Sequence, residues 1–398
     1  MQSMQLSFDT GCFALGVFCV ETEKKKIALI GPVYPYKGGI AHYTSLLHKA
    51  LSKKYDVTMI SYKMQYPKLL FKKEQKDYSN DMFKVSDTLF MLNTANPFNI
   101  IKTGMYIRKI NAEAAIIQWW HPYFAPCCRI LESVLGKKTK KIFICHNVFP
   151  HERFPMDRLL TRLVLKKGDG FIVHSKSDGD DLLSIKPDAL YRQNPHPTYN
   201  AFKIKNMTRE DARSELGRTN DEKLLLFFGF VREYKGLRHL LDAMKIIKDR
   251  LKDVHLIIAG AFGDDKESYM KLIKDNGVES VTEVSDGYTP DSEVEKYFAA
   301  CDIVALPYES ATQSGIVQIA YGFGKPVLVT NVGGLPDVVT DRKTGYVVEP
   351  KSPQAIAEAV EDFFANGRSR EFEGHIREEA YRFSWERLSE KIGEILET

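Results

Sequence analysis

Short, continuously apolar runs recur along the chain and alternate with segments of helical period. Lys25 to Pro32 (KKIALIGP) reads as a strand buried on both faces, followed by a loop with Gly38-Gly39 and a helix from Ile40 to Leu51. Ile40, Tyr43, Leu47 and Leu51 fall on one side of that helix. Further strands are expected at Val57–Ser61, Thr88–Leu92, Ala114–Trp119, Lys141–Cys145, Gly170–His174 and Ala189–Arg192. Their lack of alternation marks a parallel sheet covered on both faces. Residues 193–220 lose the rhythm and read as a hinge.

A second series then begins. Leu224–Phe230 is expected as a strand, and Leu237, Leu240, Leu241, Met244 and Ile247 form a helical stripe. Strands are expected at Val254–Ala259 and Val281–Val284, with a helix at Lys266–Asp275 between them. Asp291 is placed as the cap of a helix running to Ala300, and Ser352-Pro353 as the start of another. Between those two lies Ala305–Val339, which reads as a buried strand, a polar turn, a helix, a second buried strand and a Gly-Gly turn. The expected fold is α/β, with two Rossmann-like doubly wound domains facing a central cleft. The expected divisions are an N-terminal extension (1–23), an N-terminal domain (24–195), a C-terminal domain (196–375) and a final helical segment (376–398).

Composition supports two globular domains: 398 residues, 44% hydrophobic and 27% charged. Charge is unevenly spread. Residues 1–190 carry 28 Lys or Arg against 17 Asp or Glu, a net of +11, while the whole chain is only +4. Such asymmetry points the N-terminal half toward an anionic partner. The segment Lys63–Lys76 mixes five lysines with Tyr66, Leu69, Leu70 and Phe71. That composition suits a peripheral anionic membrane surface with a lipid-linked acceptor, or a solvated basic helix or loop. No apolar run reaches membrane-spanning length, and GCFALGVFCV near the start has no preceding Lys or Arg, so residues 1–23 are read as an extension outside the fold. Six cysteines without metal-ligand spacing suit a reducing, cytoplasmic setting.

Candidate chemistry sits where strands should end. Thr312, Gln313, Ser314 and Gly315 stand where a strand hands over to a helix, which describes either a cap or an anion site. Gly38-Gly39 offers backbone N–H groups at a helix start, or simply a tight turn. Arg232 and Lys235, in GFVREYKG, suit a diphosphate, as would a solvated basic turn. His121, His146, Asn147, His151 and Glu152 cluster in two further strand-end loops, where imidazoles can act as bases or donors. No GxGxxG or GxxxxGK[ST] pattern is present, which counts against a dinucleotide enzyme or a P-loop nucleotidase. Asp178-Gly179-Asp180-Asp181 is read as an acidic helix start rather than a metal motif. No metal, cofactor or nucleic-acid partner is expected.

Taken in order, PYKGGIAHYTSLL, QWWH, CHNVFPHE, GFVREYKGLRHLLDA, GYTPDSEVEKYFAACDIVALPY, GFGKPVLVTNVGGLPDVV and FSWERLSEKIGEIL resemble one family. It is the GT-B retaining glycosyltransferases of glycosyltransferase family 4, and the resemblance covers nearly all of residues 25–395. It implies a nucleotide-sugar donor held mainly by the C-terminal domain and a saccharide or lipid-linked acceptor on the N-terminal one. It also implies metal-independent transfer with retention, and a last helix crossing back to the N-terminal domain. By the same resemblance, Gly38-Gly39 faces the donor phosphates, Lys235 neutralises the leaving diphosphate and His146 lies near the reacting sugar. Arg232 would serve for the family arginine, whose usual place holds Phe230. The paired glutamates of the family fall at Ala311 and Ile319, where both are missing. Glu309, Gln313 and Gln318 are nearby polar groups out of that register. Alternatives are a GT-B epimerase or phosphorylase, or a non-catalytic sugar-nucleotide binding protein.

Overall fold

The computed structural model describes residues 24–69, 71, 74–78, 81–150, 155–263 and 265–398. The N-terminal sheet begins with β1 (Lys26–Ile30), which leads through α1 (Gly39–Leu51) to β2 (Asp56–Met64) and β3 (Leu89–Asn93). The chain then crosses over by α2 (Pro97–Lys109) to β4 (Ala114–Trp119) and α3 (Ala125–Leu135). It continues through β5 (Lys140–Cys145), α4 (Asp157–Leu165), β6 (Gly170–Val173), α5 (Lys176–Ile185) and β7 (Tyr191–Gln193). Every pairing in this sheet is parallel, in the order β3-β2-β1-β4-β5-β6-β7.

The second sheet follows α6 (Arg209–Glu215) and opens with β8 (Lys223–Phe228), α7 (Leu237–Arg250) and β9 (Val254–Gly260). Next come α8 (Lys266–Asp275), β10 (Thr282–Asp286), α9 (Asp291–Ala300) and β11 (Ile303–Leu306). The last elements are α10 (Gly315–Gly322), β12 (Val327–Thr330), β13 (Gly345–Val348), α11 (Pro353–Ala365), α12 (Ser369–Glu378) and α13 (Trp385–Glu397). Its order is β10-β9-β8-β11-β12-β13, again all parallel.

Both sheets reverse direction beside their first strand, at β1/β4 and β8/β11. Ligands of open α/β sheets sit beyond the carboxyl ends of the strands at such reversals. Because the helices cover both faces, alternate residues of one strand enter different cores. Ala28 and Ile30 pack under α2 to α5, whereas Ile27 and Leu29 pack under α1 and α13. Helix α13 therefore belongs to the N-terminal core, through Leu388, Ile392 and Ile395. Polar contacts fasten it there: Lys140 Nζ donates to the Leu396 carbonyl (2.9 Å) and Arg192 Nε to Glu394 (2.6 Å).

Local differences from the sequence expectations have physical causes. Strand β8 stops at Phe228 rather than Phe230, because Gly229 takes φ +94°, outside strand geometry. Asp291 is not the cap of α9; Pro290 holds that position and Asp291 lies in the first turn, paired with His42. Ser352 does cap α11, accepting from Ala355 N ahead of Pro353. The Lys63–Lys76 segment, where described, is loop rather than helix beyond the end of β2.

Candidate active site

Helices α1 and α10 each follow a strand at the reversal point of their sheet, and their N-termini face each other across the cleft. A cavity of about 230 Å3 lies between them, lined by Gly38 and Gly39 on one side and by Gly315, Ile316 and Ile319 on the other. Neither helix start is closed by a side chain. Gly38 takes φ +105° and has no side chain to cap α1, while Ser314, the cap residue of α10, makes no capping bond. Ser314 Oγ instead meets the Tyr308 hydroxyl at 3.3 Å. The first backbone N–H groups of both helices are thus left for solvent or an anion.

Lys235 completes this arrangement. A Cβ placed on Gly229 would lie 3.2 Å from Lys235 Nζ and 3.6 Å from Ile316 Cδ1, so the ammonium sits between the end of β8 and the first turn of α10. It also lies 5.8 Å from the Tyr308 ring centre. Burial, and secondarily the Arg232 charge, push its pKa down to about 8. Arg232 itself is exposed on the same loop. Among the described residues no carboxylate pairs with Lys235, and a cation beside two uncapped helix starts has the chemistry to hold an anion.

Other residues of the polar turn reach the opposite domain. Thr312 Oγ1 donates to Asn147 Oδ1 at 2.6 Å, and Gln313 Nε2 to Asp178 Oδ2 at 3.3 Å. Gly333 (φ +51°) packs so tightly on the Ala311 carbonyl that any Cβ there would clash, which holds the turn in place. Glu309 does not line the cavity; its carboxylate is held by His239 and Lys351, each at 2.9 Å, and Lys351 above all keeps its pKa low. Gln318 is buried, and its Oε1 has no partner among the described residues. Ile319 presents an apolar side chain to the cavity where the family resemblance implies a glutamate.

In the N-terminal domain, His146 Nε2 and Gln118 Oε1 are 2.7 Å apart. Its ring packs on Tyr43 (4.6 Å), and His174 and His196 stand 5.6 and 6.2 Å away. These three imidazoles end β5, β6 and the segment after β7, and burial lowers the pKa of each. His121 accepts from Tyr123 N through Nδ1 and so caps a short 3-10 turn. His151 and Glu152 lie outside the described residues. Asp178 is a helix-start residue, bonded by Ser175 Oγ (2.6 Å) and Val148 N (3.2 Å).

Several cleft residues carried no signal in the sequence pattern. His42 Nε2 pairs with Asp291 across the cleft at 3.0 Å and stacks on Phe83. The Tyr199 hydroxyl donates to the Gly39 carbonyl at 3.3 Å and also contacts His196 Nε2. A larger cavity of about 610 Å3 lies behind the hinge, between Asn200 and Trp385, away from the strand ends and the Lys235 ammonium.

Residues 208–383 match the family described as glycosyl transferases group 1. That match spans the second sheet and its helices, somewhat less than half of the chain. The chain is 27% identical over 248 residues to D-inositol 3-phosphate glycosyltransferase of Corynebacterium glutamicum, covering 60% of this chain and 59% of that one. It is 28% identical to spore coat protein SA of Bacillus subtilis, covering 48% of this chain and 52% of that protein. The chain thus spans little more than half the length of these curated relatives. Sucrose-phosphate synthase from Thermosynechococcus elongatus superposes with TM-score 0.72 at 18% identity, covering 94% of this chain and 98% of that one. Anabaena HepE in complex with UDP superposes with TM-score 0.71 at 16% identity, covering 94% and 99%. The fold is GT-B, and the residues that match the family model fall in its second domain.

Proposed function

We propose that the chain transfers a sugar from a nucleotide-sugar donor to a saccharide or lipid-linked acceptor, with retention and without a metal. The setting we assign is assembly of cell-surface polysaccharide or glycolipid, in the cytoplasm at the inner face of a membrane. One observation carries the assignment: two uncapped helix starts line one cleft cavity, and Lys235 Nζ stands against Gly229 in its wall. Negative charge grows on the phosphate oxygens as the sugar–phosphate bond breaks, and preorganised cations and N–H groups stabilise that stage selectively. The Anabaena neighbour was solved with UDP, with UDP-glucose and with UDP and glucose, which supports a nucleoside diphosphate sugar as donor.

In the step proposed, the acceptor oxygen bonds to the anomeric carbon on the face from which the diphosphate departs. The acceptor proton passes to the departing phosphate oxygen, so no protein base is consumed. Lys235, Arg232 and the N–H groups of α1 and α10 hold the diphosphate. Neutral His146 and Asn147 border the acceptor side, and Thr312 ties that side to the donor turn. Domain closure aligns the two substrates and excludes water.

Turnover of a nucleotide-sugar panel with mixed saccharide and lipid-linked acceptors, with and without chelator, tests this assignment. The expected product keeps the anomeric configuration of the donor and forms equally with chelator. An inverted product, or epimerisation that needs no acceptor, would replace it with another reaction.

A further inference from the structure

The N-terminal domain leaves large apolar side chains in solvent on one side. Helix α2 turns Phe98 (84% exposed), Ile101 and Met105 outward at helical spacing, while Ile100 and Ile107 fill the core. Helix α4 likewise exposes Leu159 and Leu163, with Met156 just before it. The loop after β2 adds Leu69 (86% exposed) and Phe71.

These three pieces form one surface. Helix α3 lies between α2 and α4 and packs on both. Phe71 stacks on Tyr66 at 5.6 Å, and Tyr66 packs on Tyr123 at 4.9 Å, in the 3-10 turn that touches α4. Thr94, just ahead of α2, donates to the Gln65 carbonyl at 2.7 Å. A helix joining parallel strands starts at their carboxyl edge, so Phe98, Met156, Leu159 and the 65–71 loop share the rim of the cleft.

Exposed charge on this surface is mostly positive: Asp157 of α4 and Glu132 of α3 are buried, and Glu74 is the exposed carboxylate at the far end of the loop. Lys63 and Lys68 border the loop, Lys102, Arg108 and Lys109 border the α2 stripe, and Arg158, Arg162 and Lys166 border that of α4. Residues 63–71, 97–110 and 158–168 contain no aspartate or glutamate. A second copy of this face would set cation against cation. A layer of acidic headgroups over acyl chains complements both its features: apolar side chains enter the headgroup boundary and cations lie among the phosphates.

We propose that the α2–α4 face of the N-terminal domain docks on an anionic phospholipid bilayer, with the rim of the cleft toward the lipid. The proposal deepens the transferase assignment, because a lipid-linked acceptor would then enter the cleft from the bilayer. Binding is measured without donor or acceptor, so its failure and that of the transferase assignment are distinguishable.

The test is sedimentation of the full chain with phosphatidylcholine vesicles, with and without phosphatidylglycerol. Two triple variants are compared: Phe98→Ser, Leu159→Ser, Leu163→Ser, and Arg158→Gln, Arg162→Gln, Lys166→Gln. All six positions are exposed, and an unchanged thermal midpoint confirms that each variant folds. The intact chain is expected to bind only the vesicles with phosphatidylglycerol, and less at high salt. The charge triple is expected to lose roughly a hundredfold in partitioning, about fivefold per cation, and the apolar triple at least tenfold. Equal binding by intact chain and variants would overturn the proposal, since another part of the chain would then hold the lipid. So would absence of binding to any vesicle, or a dimer of the intact chain that the apolar triple abolishes.

Discussion

Thr312 and Asn147 meet across the cleft, the threonine hydroxyl donating to the amide oxygen at 2.6 Å. The contact joins the turn before α10 to the loop after β5, next to His146. Gln313 with Asp178 and His42 with Asp291 repeat the pattern on either side. A bond between the turn before α10 and the loop after β5 forms only when the domains are closed, so it biases the chain toward the closed arrangement that the proposed transfer requires.

Thr312→Val keeps the shape of the side chain and removes the donor. One hydrogen bond contributes about 1 kcal/mol. The expected outcome is a severalfold fall in kcat, with donor affinity and thermal midpoint little changed, measured by steady-state kinetics and calorimetry. Equal kcat for variant and parent would show that the contact does not govern closure.

Donor binding should depend on pH through Lys235. Burial holds its pKa at about 8 against 10.5 for a free lysine, so the charge needed for a diphosphate is lost as pH rises through about 8. Affinity for a nucleoside diphosphate is expected to decline across that range, beyond any decline seen in Lys235→Ala. The folding effect has the opposite sense. Between about pH 8 and 10.5 the unfolded chain binds the additional proton, so this group makes stability rise with pH.

The imidazoles behind the cleft set an acid limit. Burial lowers His174 to about 4 and His196 to about 3, and both titrate near 6.5 once unfolded. Protons then bind preferentially to the unfolded chain as pH falls below 6.5, and stability drops by a few kcal/mol toward pH 4. His174→Asn keeps an amide able to reach the Asn194 carbonyl, which His174 Nδ1 now contacts at 2.8 Å. Its thermal midpoint should fall less steeply between pH 6.5 and 4.5 than that of the parent. Superimposable profiles would show that His174 is not the titrating group.

The two sheets and the strand–turn–helix–strand order of Ala305–Val339 were legible because strands buried on both faces leave unbroken apolar runs. The position of Lys235 and Gly38-Gly39 just beyond strand ends was legible as well. Pairings between distant segments were not. Nothing local marks His42 as the partner of Asp291, or Asp178 as the acceptor for Gln313, since sequence period reports burial on one element and not what lies across a cleft. Glu309 shows the same limit: it reads as a site carboxylate beside the polar turn, yet His239 on α7 and Lys351 hold it away from the cavity. The outward stripe of α2 was hidden too, because Ile100 and Ile107 account for a core helix without revealing that Phe98, Ile101 and Met105 face solvent.

The claim that Lys235 and the two helix starts hold a donor diphosphate is tested most directly by calorimetric titration of UDP and other nucleoside diphosphates into the intact chain and Lys235→Ala. The account predicts saturable binding of at least one of them to the intact chain, with affinity at least tenfold weaker in the variant and an unchanged unfolding midpoint without ligand. Equal affinity in both proteins, or no binding of any nucleoside diphosphate to the intact chain, would contradict it.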